Sequence, residues 1–107
     1  MLGKRDREIA ENLKRLMVER GVEVYEVILF GSRARGDADP DSDMDVLVIV
    51  ERLDSAIGKL ITRCAWEVGF ESGIVIMPVA MTREEAEHGP ERSSLLMIAV
   101  REDGVRI

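Results

Sequence analysis

The 107 residues fit one small domain, residues 1–107, and an apolar fraction of 46% argues against an intrinsically disordered chain. The formal net charge of −6 argues against a broad nucleic-acid interface, because an acidic surface repels polyanions. No apolar run approaches the roughly 18 residues that span a bilayer, so we expect no contact with the membrane interior.

Cysteine usage and the first residues bear on the cellular compartment. The single cysteine, Cys64, cannot form an intrachain disulfide, which favours a reducing environment. Its place in an apolar stripe indicates a small core residue and not a nucleophile. The starting segment MLGKRDREIAENLK lacks the apolar stretch of a signal peptide. We therefore expect a cytoplasmic protein.

The first two predicted elements are a helix and a strand. From Lys4 to Arg20, apolar residues recur at helical spacing, and Gly21 is a natural stop. The segment VEVYEVILF, Val22 to Phe30, begins with alternation and becomes continuously apolar. That pattern predicts a strand that enters the core.

A polar loop separates this strand from a second one. The segment GSRARGDADPDSD contains glycine, proline and many charges, and it predicts a turn and loop with room for one short helical turn. The segment MDVLVIV, Met44 to Val50, is almost entirely apolar. It predicts a strand that is buried on both faces and therefore central in its sheet.

The next helix and strand are predicted over Leu53–Val68 and Gly73–Met81. The helix has an apolar stripe at helical spacing, and Ser55 is a plausible early cap. Within the strand, Pro78 indicates an edge position or a strand end, because proline has no N–H to donate to the ladder.

The end of the chain predicts two further helices. Thr82 and Glu85 have the spacing of a capping box that opens a short helix. A last helix is predicted over Glu91–Val100. Because strands alternate with helices, the predicted class is α/β (α+β), with a small mixed sheet flanked by helices.

Two carboxylates open the second strand. Asp43 and Asp45 are two positions apart, so both point to one face, about 7 Å apart at a rise of ~3.3 Å per residue. Two like charges this close are costly unless a cation neutralises them. Carboxylate oxygens suit Mg²⁺, which proteins usually hold with one or two carboxylates, phosphates and water. The pair therefore predicts a magnesium site.

A phosphate-binding segment lies ten residues earlier. Gly31 permits a tight turn and a close approach of phosphate, and Ser32 can donate from its N–H and its hydroxyl. Arg33 is a candidate phosphate contact, whereas Arg35 fits a solvated surface position better. A lone Gly-Ser or a lone Asp-x-Asp more often belongs to an ordinary polar loop. Their order and spacing together predict phosphoryl or nucleotidyl transfer.

The segment FGSRARGDADPDSDMDV resembles the polymerase-β-type nucleotidyltransferase superfamily, in particular its minimal nucleotidyltransferase (MNT) family. The likeness is close from Phe30 to Val50, and the layout of the whole chain is similar. It implies a nucleotidyltransferase fold and transfer of a nucleoside monophosphate, usually AMP from ATP, to a hydroxyl. Asp43 and Asp45 would hold two Mg²⁺ ions, and Gly31 and Ser32 would bind the β- and γ-phosphates.

The resemblance also implies a partner protein. Members are often encoded beside a small helical HEPN-type protein and act as its antitoxin, and some AMPylate a tyrosine of that partner. A second interpretation is a nucleotide-binding antitoxin of weak or no activity that neutralises the partner by direct binding. A weaker third is antibiotic modification, which would need a second domain or a homodimer to hold the acceptor.

One departure from the superfamily pattern concerns a third carboxylate on the next core strand. Here that strand contains no acid, and the expected position falls near Ile76. Glu71 is the nearest substitute, although it fits a solvated turn residue better. The one histidine, His88, is a candidate base but fits a surface position at a helix end better. Trp66 and Tyr25 are expected to pack or to lie at an interface.

Overall fold

The computed structural model describes residues 1–90 and 94–107. Its helices are α1 (Lys4–Glu19), α2 (Ser32–Arg35), α3 (Ser55–Ser72), α4 (Arg83–His88) and α5 (Leu95–Asp103). Its strands are β1 (Val24–Phe30), β2 (Met44–Val50), β3 (Ile76–Thr82) and β4 (Val105–Arg106). The predicted α/β (α+β) class is confirmed. In the part of the chain described, no helix has the length and apolar composition to cross a membrane.

The four strands form one mixed sheet in the order β3-β2-β1-β4. β1 runs antiparallel to β2 and to β4, whereas β2 and β3 are parallel. β2 is therefore an interior strand, as its apolar run predicted. β3 is an edge strand, which confirms the position indicated by Pro78. At the outer side of an edge strand there is no neighbouring strand that would need the N–H that proline lacks.

Helices cover both faces of the sheet. Successive residues of β2 point to opposite faces, so its even-numbered residues join one core and Leu47 and Ile49 join another. The first core packs against α1 and α3, and the second packs against α5. Asp45 belongs to the second face. Burial on both sides explains why the sequence of β2 shows no polar alternation.

α3 differs from its prediction at both ends. Its cap is Asp54, whose side chain accepts from the Ile57 N–H at 2.9 Å, so Ser55 is the first helical residue and not the cap. The helix continues to Ser72 and ends at Gly73, which has a φ of 74°. Sequence periodicity missed the last turn because that turn exposes its aromatic residue, Phe70.

The later elements confirm one prediction and correct two. The capping box of Thr82 and Glu85 is present at the start of α4. β3 begins at Ile76 and not at Gly73, because Gly73 ends the preceding helix. Residues 91–93 of the predicted last helix lie outside the described residues, and α5 follows the cap Ser94, which accepts from the Met97 N–H at 3.2 Å.

Strand β4 was not predicted from the sequence. This two-residue strand pairs with Ile28 and Leu29 of β1. A pairing this short has no periodicity of its own, and its position depends on where α5 ends. β4 completes the sheet on the side opposite to β3 and leaves β1 and β2 as its two central strands.

Candidate functional site

The turn after β1 brings Gly31 against Asp45. Gly31 has a φ of 79° and a ψ of −160°, a backbone conformation that favours glycine, and it caps the first turn of α2. In the antiparallel register, Phe30 lies opposite Asp45. A Cβ built on Gly31 would lie only 2.5 Å from the Asp45 Oδ2. The Asp45 carboxylate therefore occupies the space that any other residue at position 31 would fill.

Ser32 is the first residue of α2. The Arg35 N–H donates to the Gly31 carbonyl at 3.1 Å, which closes the turn. The N–H groups of a first helical turn have no acceptor within their own helix, so they remain available to a ligand. Within the described ranges, the Ser32 hydroxyl also has no hydrogen-bond partner. Gly31 and Ser32 therefore present free donors beside Asp45.

Asp43 and Asp45 form a pair of carboxylates with no neutralising cation among the described residues. Asp43 is exposed and precedes β2, whereas Asp45 is half-buried within it. Burial raises the pKa of the Asp45 carboxyl, and the negative charge of Asp43 raises this pKa further. Among residues 1–90 and 94–107, neither side chain has a hydrogen-bond or ion-pair partner. Such a pair favours a bound cation.

The donor set fits a hard metal ion. Two carboxylates beside free N–H donors match the way Mg²⁺ is held, with protein supplying one or two ligands and phosphates and water supplying the rest. The described residues contain no group of three or more His, Cys, Asp or Glu that could hold a metal. The arrangement thus suits Mg²⁺ shared with a phosphate ligand and does not suit a closed zinc site.

The third carboxylate was expected near Ile76, and the strand register places position 77, not position 76, beside Asp45. Ile76 pairs with Met44, is buried, and packs in the core against α1 and α3, on the face opposite Asp45. The register partner of Asp45 is Met77, which is about half exposed. Glu71 does not join the aspartates in any potential metal-binding group of the described chain. The site therefore has the thioether of Met77 on the strand where a third carboxylate was expected.

The prediction that Arg33 contacts phosphate is not supported by its surroundings. Arg33 is the one buried charged side chain among the described residues, with 6% of its surface exposed. Its Nη1 donates to the Asp6 Oδ1 at 3.0 Å, its Nε to the Ser42 carbonyl at 2.9 Å, and its Nη2 to the Pro40 carbonyl at 2.9 Å. The sequence could not show this role, because Asp6 is 27 positions away on α1.

The other two polar candidates lie on the surface, as predicted. Arg35 is exposed and pairs with Asp37 at 3.2 Å and with Asp103 at 3.1 Å. His88 is exposed at the end of α4.

An exposed apolar surface lies on α3 and at the start of the edge strand, and it includes Met77, the register partner of Asp45. The rings of Trp66 and Phe70 stack on the outside of α3 with centroids 5.2 Å apart. Both rings are more than 60% exposed, and Val75 and Met77 are exposed beside the edge strand. We call these four residues the α3–β3 patch. Met77 belongs both to this patch and to the surroundings of Asp45.

Sequence comparisons connect this arrangement with known proteins. A family model described as "Nucleotidyltransferase domain" matches residues 7–101. A Methanocaldococcus jannaschii protein, "Putative protein adenylyltransferase MJ0141", is 43% identical over 54 residues. That match covers 50% of this chain and 54% of the relative, so the likeness spans about half the length of that protein.

Structural comparisons give the same fold. A crystal structure of a toxin-antitoxin with AMP-PNP superposes with a TM-score of 0.63 at 18% identity, over 91% of this chain and 70% of that one. A structure of the tri-AMPylated Shewanella oneidensis HEPN toxin in complex with MNT antitoxin gives a TM-score of 0.58 at 15% identity, over 94% and 70% of the two chains. At these identities the likeness concerns the fold.

Proposed function

The chain belongs to the nucleotidyltransferase domain family, and on that premise we propose that it moves AMP from ATP, with Mg²⁺, to a hydroxyl of a HEPN-type helical partner for which it is the antitoxin. The observation that carries this proposal is the Asp45 carboxylate packed against Gly31, with Asp43 beside it and no partner for either charge among the described residues.

Each residue of the site has a proposed task. Gly31 and Ser32 bind the β- and γ-phosphates of ATP through the donors at the start of α2. Asp43 and Asp45 hold Mg²⁺. The ion, when bound, neutralises phosphate charge and polarises the phosphoryl group. The glycine at position 31 keeps the phosphate donors and the carboxylates in contact, which fixes the geometry on which such a transfer depends.

The proposed reaction breaks a phosphoanhydride bond of ATP and forms a phosphoester bond to the acceptor. The acceptor oxygen attacks the α-phosphorus of ATP, the bond from that phosphorus to the bridging oxygen breaks, and pyrophosphate leaves. The hydroxyl proton passes to solvent water, because Met77, not an acid, borders Asp45 on the next strand. In a site with two carboxylates, loss of the hydroxyl proton therefore depends more strongly on the acidity of the acceptor itself. This favours a phenol such as tyrosine over an aliphatic alcohol.

The partner assignment rests on the structural neighbours and on the surface of this chain. One neighbour is an MNT antitoxin held in complex with an AMPylated HEPN toxin. The α3–β3 patch shares Met77 with the surroundings of Asp45 and exposes two stacked aromatic rings. Exposed aromatic residues of this kind are frequent in protein interfaces.

The test is transfer of label from ATP to the helical partner. With α-³²P-ATP and MgCl₂, the wild-type chain should label the partner, and with γ-³²P-ATP it should not, because pyrophosphate carries the γ-phosphate away. The Asp43→Asn/Asp45→Asn double variant should transfer no label. Asp41→Asn, which removes a neighbouring exposed charge of the same loop, should retain transfer. Equal labelling by the wild type and the double variant would refute the proposal.

A second candidate function is favoured by the absence of a third acid. A chain with Met77 beside Asp45 can bind nucleotide and neutralise its partner by direct contact with little or no transfer. The double variant separates the two functions. If it still protects cells from the partner's toxicity, neutralisation is by contact, whereas loss of protection together with loss of label indicates that AMP transfer is the antitoxin activity.

A further inference from the structure

We propose that Arg33 is a positioning residue for Asp43: its buried guanidinium fixes the loop of residues 37–43 so that the Asp43 carboxylate is held in place for the metal. The inference rests on the proposed function, since it takes Asp43 to be a metal ligand. It assigns to Arg33 a task different from phosphate contact.

The loop needs an external anchor. Asp37, Asp39, Asp41 and Asp43 stand at alternate positions and are all exposed, so their mutual repulsion favours an open loop. Inside the loop, the Asp39 N–H donates to the Ser42 Oγ at 3.1 Å, and the Ser42 N–H donates to the Asp39 carbonyl at 3.0 Å. These bonds shape a turn within the loop but do not connect it to the rest of the domain.

The start of the loop is bonded to α2 through the Asp37 N–H, which donates to the Ser32 carbonyl at 3.1 Å, and Arg33 connects the part nearer Asp43 at two points. Its Nη2 donates to the Pro40 carbonyl and its Nε to the Ser42 carbonyl, both at 2.9 Å. The Ser42 carbonyl belongs to the peptide plane that leads directly into Asp43, so fixing this oxygen fixes the start of the Asp43 backbone. The next residue, Met44, is anchored on the other side by its N–H bond to the Val75 carbonyl at 2.9 Å.

The guanidinium is itself held in one orientation. Its Nη1 pairs with the Asp6 Oδ1 at 3.0 Å, and the Asp6 side chain is also largely buried, with 17% exposed. Arg33 thus ties α1, α2 and the loop together through three separate acceptors. The three acceptors are met by three different nitrogen atoms of the planar guanidinium, whereas all the donors of a lysine are on one nitrogen atom.

The first readout is metal affinity. Arg33→Lys keeps the charge but loses the planar set of guanidinium donors. It should weaken Mn²⁺ binding by about tenfold or more, which is the usual effect of removing a group that supports a metal ligand. Asp6→Asn leaves both carbonyl bonds in place and should have a smaller effect in the same direction. Arg20→Gln removes a different arginine–carboxylate pair, in which Arg20 at the end of α1 contacts Glu67 of α3 at 2.6 Å, and should leave Mn²⁺ affinity within about twofold.

Kinetics separate positioning from a general loss of structure. For Arg33→Lys, the KM for Mn²⁺ should rise while kcat at saturating Mn²⁺ stays near the wild-type value. A phosphate contact would do the reverse, with Mn²⁺ binding unchanged and the KM for ATP raised. Unchanged Mn²⁺ affinity in folded Arg33→Lys and Asp6→Asn variants overturns the inference.

NMR relaxation of the metal-free protein keeps this inference distinct from the proposed function. The amides of residues 37–43 should be ordered in the wild type and more mobile in Arg33→Lys and in Asp6→Asn. If the wild type binds no Mn²⁺, the proposed function fails, and the relaxation data still decide whether Arg33 orders the loop. Equal loop order in wild type and variants overturns the positioning role.

Discussion

Replacing Asp45 by asparagine is expected to stabilise the metal-free protein while it removes metal binding. Asp45 is half-buried, its Oδ2 lies against Gly31, and Asp43 places a like charge beside it. Both burial and repulsion disfavour the ionised carboxylate, and no described side chain pairs with it. An amide of the same shape keeps the packing against Gly31 and removes the charge.

The size of the effect follows from Coulomb's law. Two unit charges about 7 Å apart, at an effective dielectric constant of about 40, repel by about 1 kcal/mol. With an unfolding entropy of roughly 2.1 cal/mol/K per residue, this corresponds to a rise of about 4 °C in Tm for a domain of this length. Asp43→Asn relieves the same repulsion but not the burial of Asp45, so its gain should be smaller.

The pH dependence has a definite sign. Because the pKa of Asp45 is raised in the folded state, the folded protein holds this proton more tightly than the unfolded chain does. The destabilisation by ionised Asp45 is therefore fully present above its folded pKa. It disappears as the pH falls towards the unfolded value of about 3.9. The advantage of the variant should be complete above the folded pKa of Asp45 and absent below about pH 4.

Mg²⁺ should reverse the order of stability of the wild type and the Asp45→Asn variant. At about ten times its Kd, Mg²⁺ stabilises the wild type by about 1.4 kcal/mol, whereas a variant that does not bind gains nothing. The assay is urea unfolding of both proteins in EDTA and in MgCl₂. Asp41→Asn is the matched control and should change the free energy of unfolding by less than about 0.5 kcal/mol. Destabilisation of the metal-free protein by Asp45→Asn would refute the reasoning, because it would mean that the carboxylate makes a favourable contact.

Four further outcomes are expected. Gly31→Ala should cost about 1–3 kcal/mol in urea unfolding and displace the Asp45 carboxylate, which should weaken Mn²⁺ binding measured by calorimetry. Metal affinity should rise with pH through the raised pKa of Asp45, and calorimetry in buffers of different ionisation enthalpy should show proton release. Met77→Asp should place a third carboxylate beside Asp45, tighten Mn²⁺ binding and lower metal-free stability. Leu47→Ala, at a fully buried position, should cost about 2–5 kcal/mol in urea unfolding, against less than about 0.5 kcal/mol for the exposed Leu95→Ala.

Features that depend on neighbouring residues were predictable from the sequence. The apolar run of β2 identified a strand buried on both faces, and the Thr82–Glu85 spacing identified a helix start. The contact between the Gly31 turn and Asp45 followed from the spacing of two short motifs. In these cases the information lies within a few residues of the element, where spacing and side-chain type are sufficient.

Features that depend on distant pairing were not predictable. The sequence predicted Arg33 to be a phosphate contact, because nothing near it in the sequence indicates that the packing of α1 places Asp6 beside it. The choice between Ile76 and Met77 depended on strand register, and an error of one position moves a side chain to the other face of the sheet. These features can be identified only in the folded structure, because a single sequence does not specify which remote segments are in contact.

The antiparallel pairing of β1 with β2 has a consequence for the order in which the parts of this protein form. The proposed ligand-binding residues all lie within residues 31–45, and their anchor Asp6 lies still earlier in the chain. The loop that joins these two strands is short, and loops of about ten residues close within about 100 ns. The proposed ligand-binding residues thus precede residue 50, whereas the stacked rings of the α3–β3 patch come later. Substitution of the stacked rings leaves residues 31–45 unchanged, whereas substitution of Met77 alters both the patch and the surroundings of Asp45.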